Sequence, residues 1–237
     1  MKKYRLGLLV VALQFVLGFS PAFAQQYPDP KRFEAEIARF EQQDRQQRPP
    51  QGAIVLTGSS SIAKWNGKAA AALAPLTVIP RGFGGSIMHD LLYYLDRVVL
   101  VYKPRAVLIY EGDNDTGAYR IANDAILEDL KQIISKIHAT LPQARIYVLA
   151  IKPSVLRRSS WPIAQEVNAK YRAIAATDPL VYYVDVATPL LNHDGTVMTD
   201  IFLDDNLHLN DLGNSIWGAT IKAGLMPMEA RVELAKR

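Results

Sequence analysis

Two short runs, Ala106-Val-Leu-Ile-Tyr110 and Tyr147-Val-Leu-Ala-Ile151, are apolar at every position, with no alternation between faces. A strand with one wet face alternates polar and apolar residues. A strand that is apolar both ways is covered on both sides, as strands of parallel sheets between helical layers are. The remainder of the chain fits that frame. Predicted strands at Ala53–Thr57, Leu76–Ile79, Ala106–Tyr110, Arg145–Ile151 and Val181–Val186 alternate with predicted helices at Lys68–Ala74, Ile87–Tyr102, Asn123–Leu141, Ile163–Ala176 and Asn210–Ala223. Strand and helix in alternation, joined by short turns, predict an α/β domain with a five-stranded parallel sheet. A further amphipathic helix is predicted from Pro30 to Gln46. Asp29-Pro30 opens it, Phe33, Ile37 and Phe40 recur at helical spacing, and Arg48-Pro-Pro-Gln-Gly52 ends it. It is expected to lie on the outside of the domain, against its own sheet layer or against a partner.

The first residues have a different character. Lys2, Lys3 and Arg5 precede an apolar run, Leu6 to Phe19, broken only by Gln14, and Ala22-Phe23-Ala24 supplies a small-x-small cleavage pattern. This reads as a signal peptide over residues 1–24, removed on export to the periplasm or beyond. The run is short for a bilayer span and is followed by no cysteine, so no stable membrane anchor is expected after cleavage. Residues 25–52 then form the leading helix and its linker, and residues 53–237 the main domain.

Cleavage changes the charge. The whole chain carries 27 Lys and Arg against 23 Asp and Glu, and all three basic leader residues leave with the peptide, so 24 face 23 in the mature chain. A nearly balanced surface gives no support to a nucleic-acid partner. The absence of cysteine excludes thiolate metal sites and disulfides, so stability rests on the core of one sizeable domain.

Polar and glycine clusters sit at the predicted carboxyl ends of the first three strands: Gly58-Ser59-Ser60-Ser61, Gly82 to Ser86, and Gly112-Asp113-Asn114. Ligands of open α/β sheets bind at that edge. Ser60 is the candidate nucleophile, at a strand end where the next amides open a helix. Four histidines are candidate bases. His138 lies inside a predicted helix, His193 in the turn Asn192-His193-Asp194-Gly195, and His89 at a helix start after the glycine loop. His208 stands three residues after Asp205, a spacing that lets the carboxylate fold back onto the imidazole Nδ1–H, fixing its tautomer. Asn210 is free to cap the last helix, which leaves Asp205 and His208 for chemistry. The Gly84-Gly85 amides, the Ser60 amide and the Asn114 side chain are candidate oxyanion donors. Arg157, Arg158 and Trp161 fall in the loop after the fourth strand. They are expected at the site's rim, as ordinary exposed groups or as contacts for an anionic or sugar moiety.

The blocks Gly58-Ser59-Ser60, Gly82-Phe83-Gly84-Gly85, Gly112-Asp113-Asn114-Asp115 and Asp205-Asn206-Leu207-His208, in this order, resemble those of the SGNH, or GDSL-type, hydrolases. The resemblance spans Ala53 to Ala223 and implies a flavodoxin-like three-layer α/β/α fold and ester hydrolysis without metal or cofactor. It implies Ser60 as nucleophile, Asp205 and His208 as its partners, and Ser60, Gly85 and Asn114 as oxyanion donors. One departure is plain. Ser59 replaces the Asp of Gly-Asp-Ser, so the choice among three consecutive serines rests on motif register. Trp65, Arg81 to Ser86, Tyr110 to Asp115 and Lys152-Pro153-Ser154 look like a bacterial subgroup of that family. The expected substrate is a short-acyl or carbohydrate ester. An acyltransferase using the same groups and a non-catalytic ligand-binding protein are the alternative functions.

Overall fold

A computed structural model describes residues 27–235; the predicted signal peptide lies outside the described residues. Five strands form one parallel sheet: β1 Ile54–Gly58, β2 Val78–Gly82, β3 Ala106–Tyr110, β4 Arg145–Leu149 and β5 Val181–Val184. Their spatial order is β2-β1-β3-β4-β5, so the direction of winding reverses between β1 and β3. Each strand is short and mostly apolar, and β1 and β3 are buried at every position.

Burial on two faces divides the side chains of each strand into two cores. Val55, Ile79, Val107, Ile109, Ile146 and Val148 join one core with α1 (Glu34–Gln46), α4 (Met88–Val98), α5 (Asn123–Thr140) and α6 (Trp161–Ala175). Ile54, Leu56, Leu108, Tyr110, Tyr147 and Leu149 join the other with α2 (Ser60–Trp65), α3 (Ala69–Ala72) and α7 (Asp211–Leu234). The period-2 alternation of the strand therefore survives, with both faces apolar. The result is the three-layer α/β/α sandwich.

The leading helix packs on its own domain. After a 3-10 turn, Pro30–Phe33, capped by Asp29, α1 buries Ile37 and Phe40 in the first core. Ion pairs fasten it: Arg32 to Asp90 and Asp44 to Arg81, with Arg97 bonded to Glu34 at 2.8 Å and Glu41 at 2.6 Å.

Several boundaries differ from expectation: β2 runs on to Gly82, the helix expected to reach Tyr102 ends at Val98, β4 and β5 stop two residues early, and α2 is an addition to the expected helices. β2 begins at Val78, because Thr77 turns its N–H and hydroxyl to Glu233 instead. The last helix, expected to stop at Ala223, runs on through Pro227 to Leu234. Proline inside a helix removes a hydrogen bond and favours a break, yet Glu229 and Glu233 beyond it are anchored at the amino ends of the strands. Glu229 Oε1 accepts from Arg145 (2.5 Å) and the Tyr147 hydroxyl (2.9 Å), and Oε2 accepts from Arg105 (2.8 Å). Glu233 accepts from Arg105 Nη2 (2.5 Å). Burial alone would raise the Glu229 carboxyl, but these hydrogen bonds outweigh it and hold the group below its ordinary range.

Candidate active site

β1 ends at Gly58 with φ +125°, where a Cβ would stand 2.0 Å from the Tyr110 carbonyl oxygen, so no side chain fits. The Ser59 N–H donates to that oxygen (2.9 Å), and the Gly58 carbonyl accepts from the Phe83 N–H (3.0 Å). These bonds hold the ends of β1, β2 and β3 level. The chain then turns into α2, and the three serines part company. Ser59 is buried, and its Oγ meets no hydrogen-bond partner among the described residues. Ser61 is buried on the inner side of the helix, while Ser60, the first helical residue, stays partly open. Asn66 locks α2 to β2, its amide bonding both the N–H (3.0 Å) and the carbonyl (2.9 Å) of Gly82.

The Ser60 Oγ lies 2.8 Å from His208 Nε2. His208 belongs to a tight turn closed by the Leu203 N–H on the His208 carbonyl (2.8 Å), with Asn206 left-handed at φ +56°. Asp205 organises this turn. Its Oδ1 accepts the N–H groups of Leu207 (3.0 Å) and His208 (2.9 Å), and its Oδ2 lies 2.5 Å from His208 Nδ1. The slight desolvation of Asp205 would raise its carboxyl, but the hydrogen bonds from the His208 ring and the two backbone N–H groups hold it well below the usual carboxylate range. An ionised Asp205 assigns the proton to Nδ1 and leaves Nε2 to accept from the Ser60 hydroxyl. Asn210 caps α7 through the Gly213 N–H (3.0 Å) and takes no part in the turn's chemistry.

The candidate donors converge on the same edge. The Ser60 N–H, in the first turn of α2, has no intrahelical acceptor. Gly85 adopts φ +86° at a partly exposed position, and a Cβ there would meet nothing within 4 Å. Asn114 is buried, its Nδ2 donating one hydrogen to the Ser86 carbonyl (2.9 Å), its Oδ1 accepting from Arg157 Nη2 (2.7 Å). A carboxamide has two N–H donors, and one is left for a ligand.

Beneath this row lie buried acids that the sequence offered only as part of a motif. Glu111 Oε1 is 2.5 Å from the Ser86 Oγ, which is also 3.1 Å from the Phe83 carbonyl. Burial, with the charge of Asp115 beside it, pushes the Glu111 carboxyl well up. The Ser86 hydroxyl thus lies within donating reach of both Glu111 and the Phe83 carbonyl, bracing the loop that carries Gly84 and Gly85. Burial raises Asp115 too. It accepts the N–H groups of Gly112 (3.0 Å) and Met88 (3.0 Å), tying the β3 loop to the start of α4.

The other histidines lie elsewhere. His89 stacks on Tyr27, ring centroids 3.8 Å apart, and faces Asp129. His138 bonds the Ala144 carbonyl (3.1 Å), and His193 is exposed. Arg157 corrects its expected position. It is not a free group on the rim, because Asp113 takes its Nη1 at 2.5 Å and Asn114 its Nη2. Arg158 is exposed, and Trp161 opens α6 half-buried between the two cores.

Residues 50–216 match the model of the GDSL-like lipase/acylhydrolase family, well over half of the chain. The chain belongs to that family. Comparison with curated proteins gives no match. Among solved structures, the fold is similar to a protein from Streptococcus pneumonia described provisionally as a platelet activating factor, at 21% identity and TM-score 0.73, covering 81% of this chain and 92% of that one. It is also similar to a GDSL-like lipase from Bacteroides thetaiotaomicron (20% identity, TM-score 0.66, 84% and 98% covered). A third likeness is to a catalytic mutant of an acetylxylan esterase from Geobacillus stearothermophilus (13%, 0.60, 76% and 96%). At these identities the likeness is one of fold. For a GDSL-family chain, the Gly-Ser-Ser start of the first block means a buried hydroxyl where the family name has a carboxylate.

Proposed function

We propose that the protein is an exported serine ester hydrolase acting on short-acyl or carbohydrate esters. The observation that carries the reading is the unbroken line Ser60 Oγ, His208 Nε2, His208 Nδ1, Asp205 Oδ2, with contacts of 2.8 and 2.5 Å. In this mechanism the Ser60 Oγ attacks the ester carbonyl as His208 Nε2 takes its proton, and Asp205 steadies the imidazolium. The amides of Ser60 and Gly85 and the free N–H of Asn114 hold the oxyanion. The imidazolium then protonates the departing alcohol, and water, activated by His208, releases the acid from Ser60. The chemistry needs no metal or cofactor.

The openness of the site supports that substrate class. The Asp205 side chain is 44% exposed and His208 16%. A shallow site at the surface favours an ester presented on a bulky polar alcohol over a long acyl chain that needs a deep apolar channel. Acetylated xylan is the kind of substrate named for one of the structural neighbours.

Labelling with a serine-reactive phosphonate tests the reading. Wild type labels and Ser60→Ala does not; labelling retained in Ser60→Ala removes Ser60 from the role. Turnover of p-nitrophenyl esters of increasing chain length, beside acetylated glycans, is expected to fall with chain length, and a rise with chain length would overturn the substrate class. An added acceptor alcohol is expected to yield free acid as the main product; a new ester as the main product would make the protein an acyltransferase.

A further inference from the structure

The loop after β4 touches both halves of the candidate site. Arg157 uses two edges of one guanidinium, Nη1 on Asp113 Oδ1 (2.5 Å) and Nη2 on Asn114 Oδ1 (2.7 Å). The second Asp113 oxygen is met by the Tyr110 hydroxyl (3.2 Å) and the Lys152 ammonium (3.5 Å). Lys152 also donates to the carbonyl of Leu207 (2.7 Å), the residue before His208. The Leu156 N–H donates to the Asn206 carbonyl (3.0 Å), so the same loop grips the His208 turn twice. Gly117 leaves room for the Arg157 stem, since a Cβ there would lie 2.4 Å from Arg157 Cδ.

The consequence falls on the Asn114 amide. Its two ends have the same shape but opposite polarity, and a half-turn about the last bond would present oxygen, not N–H, to a developing oxyanion. Two contacts oppose that half-turn. The Ser86 carbonyl accepts only from nitrogen, and the Arg157 guanidinium donates only to oxygen. A flipped amide would set carbonyl against carbonyl and NH₂ against guanidinium. The guanidinium charge is already matched by Asp113, which burial alone would raise but Lys152 and Arg157 together hold below its ordinary range. Arg157 is thus committed inward and is not a receptor for an anionic substrate.

We propose that Arg157 is a positioning residue for the oxyanion hole, fixing the Asn114 amide with its N–H outward and, through Asp113 and Lys152, tying that donor to the turn that carries His208. The inference rests on the esterase reading above and adds a residue to it. Arg157→Lys keeps a cation beside Asp113 but cannot span Asp113 and Asn114 together. With p-nitrophenyl acetate as probe, Arg157→Lys is expected to lower kcat about 10- to 100-fold, within what loss of a whole donor costs, and to leave KM within about twofold. In an Asn114→Ala background the same substitution is expected to cost less than about threefold, because there is no amide left to orient. Arg157→Gln, which also removes the charge, is expected to lower kcat at least as far and the melting temperature further; if it does not fold, the Lys variant and the double mutant decide the question.

Unchanged kcat in Arg157→Lys would overturn the proposal, as would a full multiplicative loss in the Asn114→Ala background. A raised KM at constant kcat would make Arg157 a substrate receptor instead. Equal rates for wild type and Ser60→Ala would bring down the esterase reading itself, which separates that failure from a failure confined to Arg157.

Discussion

Both ends of the sheet bury ionic networks, and the two are finished to different degrees. At the amino ends of the strands, every carboxylate oxygen of Glu229 and Glu233 has a donor, from Arg105, Arg145, Tyr147 and Thr77. Toward the carboxyl ends, buried polar atoms that meet no hydrogen-bond partner among the described residues include Ser59 Oγ, Glu111 Oε2 and Asp90 Oδ1. Asn114 retains an unspent N–H there. A network that only supports a fold closes on itself, because an unpaired buried group costs about 1–3 kcal/mol. One that awaits a transition state keeps donors in reserve.

That contrast can be broken at either end. Glu229→Ala would leave the half-buried Arg145 without its carboxylate and Arg105 with Glu233 alone, and is expected to cost about 3–5 kcal/mol of stability, measured by urea unfolding at neutral pH. Turnover per folded molecule should hold, and a fall in kcat matching Asn114→Ala would dissolve the distinction between the two edges. Asn114→Ala, at the other end, is expected to lower kcat on the order of 10²–10³-fold with a much smaller change in melting temperature. Unchanged turnover would take Asn114 out of the oxyanion hole.

The smallest effect separates the edges by pH. Glu111 titrates high in the folded state, so between the ordinary carboxylate range and its raised value the folded chain holds a proton that the unfolded chain has lost. Its contribution therefore declines as pH rises through that window, with a slope of at most about 1.4 kcal/mol per pH unit. Glu229 titrates low, so its contribution is present above the ordinary range and is lost on acidification. Glu111→Gln supplies an N–H where the protonated acid supplies an O–H, and its stability relative to wild type is expected to climb from pH 5 to pH 8 in urea titrations. A flat difference across that range would mean that Glu111 is ionised in the fold.

What was legible in the sequence was local. Two-sided apolar runs announced the sheet because strand burial is a property of five consecutive residues. The geometry of Asp205 and His208 was readable because three residues separate them. Arg157 was misplaced to the rim because its partners lie 43 and 44 residues away, brought near only by the pairing of β3 with β4. The end of α7 was hidden for the same reason. Pro227 is a local stop signal, while Glu229 meets Arg145 across 84 residues. Ser60 stood out from Ser59 and Ser61 only by motif register in the sequence, and by burial once the strand end turned into a helix.

The contact between Ser60 and His208 joins residues 148 apart in the chain. Ser60 is made early in synthesis and His208 late, with three of the five strands made between β1 and β5. Their contact exists only once both ends of the domain have docked, so, on the proposed esterase reading, a phosphonate probe reports on tertiary assembly as much as on catalysis.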